Sequence, residues 1–279
     1  MSGEMRGGLS EGWHTEEGFG AVRLGLRVSA LLHEEQSEYQ KIAVCESEFF
    51  GRILFLDDLI MLTERDEFVY HEMITHVPLC GIKDPKKVLV IGGGDCGCLR
   101  EILKHPSIER AVLCEIDERV TRVCKEYFPW VKEVAADPRV ELSFADGVAH
   151  VKEHPGEYDL VIVDSTDPIG PAVNLFRHEF YASVATCLKP GGVMVAQTES
   201  PFYAPEVVGR IKEELSAAFR FVDFYLGFIP TYPSGCWSWA HASNHGPHDA
   251  YFDETRAREL ARGCRYYNPA VHRAAFALP

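Results

Sequence analysis

The sequence predicts an α/β protein in which a small N-terminal antiparallel β domain precedes a larger parallel sheet. Three observations predict this fold. Between residues 28 and 62, short strands with alternating polar and apolar residues, such as "YQKIAVCES", are separated by turn residues. Beyond Val88, short apolar runs alternate with helix-length segments, a rhythm typical of a right-handed parallel α/β sheet. The glycine-rich turn of "VLVIGGGDCGCLRE" follows the first of those runs.

Residues 1–64 are predicted to form the β domain, and residues 65–279 the sheet domain. Within "FGRILFLDDLIML", Gly51 and the pair Asp57 and Asp58 indicate turns. The stretch "TERDEFVYHEMITHVPL" has apolar residues at helical spacing and predicts a helix with Thr63 as its N-cap. The polar segment "KDPKK" then separates this helix from the first strand of the sheet domain.

The sheet domain is predicted from its alternating strands and helices. Its strands are predicted over residues 88–91, 111–116, 140–144, 160–163, 192–197 and 221–228, with a last strand in "SGCWSWAHAS". Its helices are predicted near residues 97–104, 118–128, 177–188 and 205–218.

Composition excludes several classes of partner. The 28 basic and 42 acidic side chains give a formal net charge of -14, which argues against nucleic acid and favours small cations, although acidity also simply aids solubility. No apolar run approaches the roughly 18 residues that a membrane span requires. We therefore expect neither a nucleic acid nor a membrane as partner.

The cysteines indicate a reducing compartment. The N-terminus has neither the basic start nor the apolar run of a secretory signal, so the nine cysteines are expected as thiols in the cytoplasm. The spacing of Cys96, Cys98, Cys114 and Cys124 contains no CxxC pair, and no metal site is expected from it.

The glycine turn and the next strand end indicate a nucleoside site. Gly92, Gly94 and Gly97 fit GxGxxG between a strand and a helix, where missing side chains let a ligand approach the backbone; alone this pattern is weak. Glu115 ends the second strand, where a carboxylate accepts hydrogen bonds from both ribose hydroxyls. The alternative for Glu115 is a solvated acid at a strand end.

Asp95 restricts which nucleoside fits this turn. A carboxylate there opposes the pyrophosphate of a dinucleotide, so NAD is disfavoured. Ordinary S-adenosylmethionine methyltransferases share this plan but hold an acid where this chain has Val90. A carboxylate moved to Asp95 repels the carboxylate of methionine and attracts an ammonium, which favours decarboxylated S-adenosylmethionine. Asp146 and Gly147, after the third strand, suit an adenine amino group, the alternative being a plain Asp-Gly turn.

Two further acids follow the fourth strand in "VIVDSTDPIGP". A nucleophilic amine with a pKa near 10 arrives protonated and needs a base, a role that suits Asp164. Asp167 suits the remote ammonium of a diamine; the alternative, an Asx turn before Pro168, explains one aspartate only. Tyr70 and Tyr232 suit ammonium groups through hydrogen bonds and cation-π contacts, while packing is the alternative for each.

On these residues the chain resembles the spermidine synthase (polyamine aminopropyltransferase) family over nearly its whole length. The matching stretches are "SEYQ", "LTERDEFVYHEM", "VLVIGGGD", "LREILKHPS", "CEID", "DSTDPIGPAVNLF", "AQTESP", "IPTYPSG" and "YYNPAVHRAAFALP". The resemblance implies a Rossmann-like, class I methyltransferase-type sheet with a small N-terminal antiparallel β domain. It also implies a homodimer or homotetramer.

The resemblance further implies roles for particular residues. The methylthioadenosine part and the aminopropyl ammonium of the co-substrate would be held by Gln40, His71, Gly92, Gly94, Asp95, Glu115, Asp146, Gly147 and Pro171. Asp164 would be the base, in an acceptor channel lined by Tyr70, Asp167, Gln197 and Tyr232. One departure is that Cys96 and Cys98 flank Gly97 where the family commonly has further glycines.

The implied reaction is a direct displacement without a metal, in which the amine of a diamine, putrescine first among candidates, attacks the propyl carbon next to sulfur. The products would be spermidine and 5'-methylthioadenosine. Two alternatives stay open: an amine N-methyltransferase that uses intact S-adenosylmethionine, and a polyamine- or nucleoside-binding protein without catalysis. The acceptor is also open among putrescine, cadaverine, agmatine and spermidine.

Overall fold

A computed structural model describes residues 6–10, 12–18, 22–166 and 170–278. The N-terminal part consists of seven antiparallel strands in two sheets. Strands β1 to β3 form the first sheet, and β4 to β7 form the second in sequence order. The seven strands are Arg6–Ser10, Trp13–Gly18, Val22–Arg27, Ala30–Gln36, Lys41–Ser47, Gly51–Leu56 and Leu59–Thr63.

The second sheet confirms the antiparallel β segment predicted between residues 28 and 62. Its last hairpin turns at Asp57 and Asp58, whose φ angles of 49° and 65° are positive, as a tight two-residue turn between right-twisted strands requires. The first sheet was not predicted, although "VRLGLRV" alternates apolar and polar residues as a strand does; the segment before it, "WHTEEG", has no such alternation.

The first helix, α1 (Glu67–Cys80), lies at the centre of the molecule. The prediction that Thr63 caps it is wrong, because Thr63 ends β7 and the helix begins after Asp66. The hydroxyl of Thr63 instead donates to Oδ1 of Asp66, 2.6 Å away. Every residue of α1 except Phe68 is buried, so this helix has no solvated face.

The large sheet has seven strands in the order β10-β9-β8-β11-β12-β14-β13. Strands β8 to β12 pair in parallel, and β14 pairs antiparallel with both β12 and β13. These strands are β8 Lys87–Gly92, β9 Arg110–Glu115, β10 Val140–Phe144, β11 Tyr158–Asp164, β12 Leu188–Glu199, β13 Phe221–Phe228 and β14 Cys236–Ser243.

Eight further α-helices accompany this sheet within the described residues. They are α2 Gly97–Ile102, α3 Glu118–Tyr127, α4 Pro129–Ala136, α5 Gly147–Glu153, α6 His178–Cys187, α7 Pro205–Ala218, α8 Glu254–Leu260 and α9 Pro269–Ala275. The mixed α/β fold with a Rossmann-like sheet is thereby confirmed. Four helices, α4, α5, α8 and α9, were not predicted, because each has only seven or eight residues and too few turns to show a period.

Both faces of the large sheet are covered, which explains the unbroken apolar runs of its strands. In β8, Val88 and Val90 belong to the core on the side of α1, while Leu89 and Ile91 belong to the core on the side of α6. The core around α1 also includes Val44 and Leu54 of the N-terminal strands. One apolar core therefore runs across residue 64, where the division into two domains stays a prediction.

The order of the strands places a crevice between β8 and β11. From β8 the chain builds β9 and β10 on one side, and then crosses to β11 and β12 on the other. Ligands of open α/β sheets bind at the carboxyl ends of strands where the order reverses in this way. Gly92 at the end of β8 pairs with Asp164 at the end of β11, so both residues lie at the edge of this crevice.

None of the helices in the described ranges combines the length and apolar character needed to cross a bilayer.

Candidate active site

A cavity of about 480 Å³ opens at the carboxyl ends of β8, β9 and β11. Twelve of the fourteen residues proposed from the sequence line it: Gln40, Tyr70, His71, Gly92, Gly94, Asp95, Glu115, Asp146, Gly147, Asp164, Gln197 and Tyr232. Asp167 lies outside the described residues, and Pro171 belongs to a 3₁₀ segment, Gly170–Phe176, in which its side chain is not described.

The glycines of the turn are required for different reasons. Gly92 and Gly93 have φ angles of 79° and 66°, and a Cβ at Gly92 would lie 2.2 Å from the carbonyl oxygen of Asp164. At Gly97 a Cβ would lie 2.3 Å from the ring of His71. The interpretation of Gly97 as a ligand-approach position is therefore wrong, because the missing side chain there makes room for a histidine.

Asp95 is paired with a buried histidine. Its Oδ1 lies 3.2 Å from Nε2 of His71 and accepts from the backbone N–H of Gly97 at 2.7 Å. Nδ1 of His71 lies 2.6 Å from Oε2 of Glu67, one helical turn earlier in α1. Burial alone would lower the pKa of His71, but the attraction of Asp95 and Glu67 outweighs it and raises the pKa to about 10. His71 is therefore an imidazolium that holds the pKa of Asp95 low despite the burial of that carboxyl.

Glu67 is held from its other side by Arg100 of α2. The guanidinium donates to both oxygens of Glu67, at 3.0 and 2.7 Å, and its Nε donates to Glu101 at 2.8 Å. A bidentate pair of this kind fixes geometry as well as charge. The sequence did not identify Glu67 or Arg100, although the four-residue spacing of Glu67 and His71 is a helical pair that the pattern contained.

Asp164 has two neutral donors instead of a cation. Its Oδ1 accepts from the hydroxyl of Tyr70 at 2.6 Å, and its Oδ2 accepts from the thiol of Cys98 at 3.1 Å. Burial and the nearby charge of Asp95 raise the pKa of Asp164, while His71, Tyr70 and Cys98 oppose that rise. The two acids of the crevice are therefore shifted in opposite directions.

At the end of β9, Glu115 is buried and accepts from the backbone N–H of Asp117 at 2.8 Å. Burial, with repulsion from Asp117 and Asp164, raises the pKa of Glu115 to about 7. Asp117 is the N-cap of α3, and its carboxylate accepts hydrogen bonds from the Ser37 hydroxyl at 2.6 Å and from the Gln40 amide at 3.1 Å. Asp117 thus joins the N-terminal β segment to this end of the cavity, a role that the sequence did not reveal.

Asp146 and Gly147 open α5 beside Glu115. One oxygen of Asp146 caps the helix by accepting from the backbone N–H of Val148 at 2.8 Å. The Asp-Gly turn considered as the alternative is therefore present, and the same residue lines the cavity. A Cβ at Gly147 would lie 2.5 Å from the side chain of Ile91, so glycine is needed for packing against β8.

The remaining wall carries Gln197, Glu199 and Tyr232. Gln197 donates to the carbonyl of Ser165 at 3.2 Å, and its oxygen accepts from the backbone N–H of Glu199 at 3.1 Å. Tyr232 donates to the carbonyl of Met61 at 2.7 Å, and its ring centroid lies 6.0 Å from that of Tyr70. Glu199 is buried, with a positive φ of 84°, and "AQTESP" had indicated no role for it.

Two groups of side chains in the described ranges have ligand atoms close enough to share a metal ion, namely His71 with Cys98 and Asp164, and His76 with Glu101 and Cys264. In the first group, both nitrogens of His71 already pair with carboxylates, and an imidazolium has no lone pair for a metal. In the second, Glu101 already pairs with Arg100 and Lys104. The expectation of a reaction without a metal stays a prediction.

Comparison with known proteins gives consistent family matches. The Spermine/spermidine synthase domain matches residues 67–252, and the Spermidine synthase tetramerisation domain matches residues 12–64. A polyamine aminopropyltransferase of Thermoanaerobacter pseudethanolicus is 46% identical over 269 residues, which cover 96% of this chain and 95% of the relative. One of Moorella thermoacetica is 47% identical over 268 residues, covering 96% and 93%.

Two solved structures are similar to the whole chain. A spermidine synthase in complex with the transition-state analogue AdoDATO superposes with a TM-score of 0.94 at 40% identity, covering 100% of this chain and 96% of that one. The spermidine synthase from Thermotoga maritima superposes with a TM-score of 0.91 at 38% identity, covering 100% and 95%.

Proposed function

The chain belongs to the spermidine synthase family and is an aminopropyltransferase, and from that premise we propose its reaction. We propose that it transfers the aminopropyl group of decarboxylated S-adenosylmethionine to a diamine, with putrescine as the preferred acceptor. The products are spermidine and 5'-methylthioadenosine. The neighbouring spermidine synthase with AdoDATO supports the use of this co-substrate.

The observation that carries the proposal is that Asp95, in the turn after β8, and Asp164, at the end of the neighbouring strand β11, line one cavity and have pKa values shifted in opposite directions. Asp95 stays ionised, which suits an ammonium group that keeps its charge throughout the reaction. Asp164 has the raised pKa of a group that accepts a proton. Opposite pKa shifts of two neighbouring carboxyls support different roles for them.

The proposed chemistry requires one proton transfer and one displacement. Asp164 removes a proton from the ammonium of the acceptor, and the freed nitrogen lone pair attacks the propyl carbon bonded to sulfur. A carbon–nitrogen bond forms while the carbon–sulfur bond breaks, and its electron pair neutralises the sulfonium to a thioether. The site contributes alignment, which lowers such barriers by up to about 7 to 11 kcal/mol, and a positioned base.

The nucleoside is proposed to lie over β9. Glu115 accepts from the ribose hydroxyls, and Asp146 with Gly147 contacts the adenine, one oxygen of Asp146 being used by the helix cap. Gln40 reaches the same end, since its amide is tied to Asp117. Gly92, Gly94 and Pro171 are proposed to complete this part of the site.

The acceptor is proposed to lie along the wall that Tyr70 and Tyr232 form, where hydroxyls and rings suit ammonium groups. Gln197 lines the same wall, and Asp167 is proposed to hold the remote ammonium. The residue at the place of the usual methyltransferase acid, Val90, is buried in β8. An N-methyltransferase reaction is therefore not favoured.

The match to a tetramerisation domain indicates that the protein forms oligomers, and we propose a homodimer or homotetramer. We also propose that it acts in the cytoplasm, which the nine free cysteine thiols support. We propose that catalysis needs no metal ion.

The test is an assay of purified protein for methylthioadenosine release. Decarboxylated and intact S-adenosylmethionine are each offered with putrescine, cadaverine, agmatine or spermidine. We expect release with the decarboxylated form alone and the highest kcat/KM with putrescine. Methyl transfer from the intact form would favour the methyltransferase alternative, and binding without release would favour a binding protein.

A further inference from the structure

Cys98 contacts the proposed base but does not line the cavity. It is the second residue of α2, its side chain is fully buried, and its Sγ lies 3.1 Å from Oδ2 of Asp164. That distance is within the range of a hydrogen bond that involves sulfur. No role was inferred for this cysteine from the sequence, where it was noted for a spacing that does not suit a metal site and as a departure from the family's glycines.

The two oxygens of Asp164 have different surroundings. Oδ2 lies beside Gly93 of the glycine turn and accepts from the thiol of Cys98, a residue that does not line the cavity. Oδ1 accepts from Tyr70, whose side chain lines the cavity. Oδ2 of Asp164 is therefore held by a buried donor. Oδ1 lies at the wall where the acceptor amine is proposed.

Cys98 acts as a donor in this contact. Burial and the charges of Asp164 and Asp95 raise the pKa of the Cys98 thiol far above its usual range, so the sulfur keeps its proton. A carboxylate is acceptor-only when ionised, so the hydrogen bond runs from sulfur to oxygen. A donor to the charged form of an acid stabilises that form.

We propose that Cys98 is a positioning residue for the base: its thiol donates to Oδ2 of Asp164, which fixes the carboxylate so that Oδ1 receives the proton of the acceptor amine. This inference rests on the proposed aminopropyl transfer. Because the sulfur lies behind the carboxylate, Cys98 does not touch the substrate and acts through Asp164 only.

The titratable groups around Asp164 together set its pKa, and through it the pH dependence of kcat/KM. Among the described residues, the titratable groups that act on this carboxyl or are acted on by it are Tyr70, His71, Asp95, Cys98 and Glu115. Replacing the thiol removes one donor to the ionised form and leaves the other four groups in place. The pKa of Asp164 then rises further, and the acid limb of kcat/KM moves to higher pH.

The test compares Cys98→Ala, Cys98→Ser and the matched control Cys124→Ala, in which an equally buried thiol of α3 is removed. We expect the acid limb of kcat/KM to move up by about half a unit to one unit in Cys98→Ala. In Cys98→Ser, where a hydroxyl donor is retained, the limb lies close to that of the wild type or below it. The amine substrate ionises identically with every variant, so differences between the pH profiles of kcat/KM come from the enzyme.

A second measurement does not depend on turnover. The S–H stretching band of Cys98, identified by the infrared difference between wild type and Cys98→Ala, is expected to shift to higher frequency in Asp164→Asn because the hydrogen bond weakens. If wild type releases no methylthioadenosine, the proposed function fails while this band still tests the contact. An unshifted band, or acid limbs that coincide in wild type, Cys98→Ala and Cys124→Ala, would overturn the role of Cys98.

Discussion

The ends of β8 and β11 both carry a carboxylate into the cavity, but the two ends are built differently. At the end of β8, Asp95 faces the imidazolium of His71, which Glu67 and Arg100 support from behind. At the end of β11, Asp164 accepts hydrogen bonds from a phenol and a thiol, and the charge of His71 acts on it without a hydrogen bond. A carboxylate beside a buried cation stays charged, whereas one beside neutral donors is able to take up a proton.

This difference refines the electrostatic argument made from the sequence. Asp95 was inferred to attract an ammonium by its charge, yet that charge already has a partner in His71. An incoming ammonium therefore adds a second cation to a carboxylate that is shared. We therefore propose that Asp95 distinguishes ligands by a hydrogen bond to the ammonium more than by uncompensated charge.

Three predictions test this contrast, and the largest effect is expected at β11. Asp164→Asn keeps the shape and the donors of the site but removes the group that takes the proton. We expect kcat/KM to fall by roughly 10² to 10⁴, with no change in the affinity for methylthioadenosine. Steady-state kinetics and calorimetry measure the two quantities, and Asp84→Asn, an exposed acid in a turn, is the control. Full turnover in Asp164→Asn would place the base elsewhere.

A smaller effect is expected at β8. Asp95→Asn retains an oxygen for the N–H of Gly97 but loses the charge-assisted bond to the ammonium, and such bonds contribute about 1.5 to 3 kcal/mol. We expect decarboxylated S-adenosylmethionine to bind roughly 10- to 100-fold more weakly. Methylthioadenosine, which has no ammonium, serves as the internal control and should bind as before. An unchanged preference for the decarboxylated over the intact cofactor would refute this role of Asp95.

The smallest effect is expected on the free energy of unfolding, and it tests the positive charge of His71. The pKa of His71 is about 10 in the folded protein and near 6.5 in the unfolded chain, so its contribution is complete below pH 6.5 and is lost as the pH rises towards 10. The free energy of unfolding should therefore fall between pH 7 and 8.5, by up to about 1.4 kcal/mol per pH unit from this group.

Urea unfolding of wild type and His71→Gln at several pH values in that window measures this slope. His71→Gln should show a flatter dependence, and the control is His154→Gln, at a histidine outside the cavity that donates to the carbonyl of His150 and stacks on its ring. Equal slopes in wild type and His71→Gln would mean that His71 is not charged in the folded protein.

The sequence predicted the parts of this molecule that depend on local pattern. The apolar run Val88–Ile91 indicated a strand of a parallel sheet, which the structure buries on both faces. The acids after such runs are brought together because parallel strands end at one edge. Asp95, Glu115 and Asp164 were found in this way, and all line the cavity.

The parts that the sequence did not predict depend on contacts between distant segments. Arg100 meets Glu67 across 33 residues, and Cys98 meets Asp164 across 66. No periodicity encodes such pairs. Gly97 was misinterpreted for the same reason, since the ring that occupies its space belongs to α1.

The burial of α1 on nearly all sides limits how this protein can be recombined with its relatives. Its side chains interlock with the N-terminal strands on one side and the large sheet on the other, through residues such as Leu54, Met73 and Val90. A chimera joined at residue 64 would set one parent's strands against the other parent's helix. Exchange of the N-terminal module should therefore succeed only when α1 travels with it and its contacts with β8 are repaired.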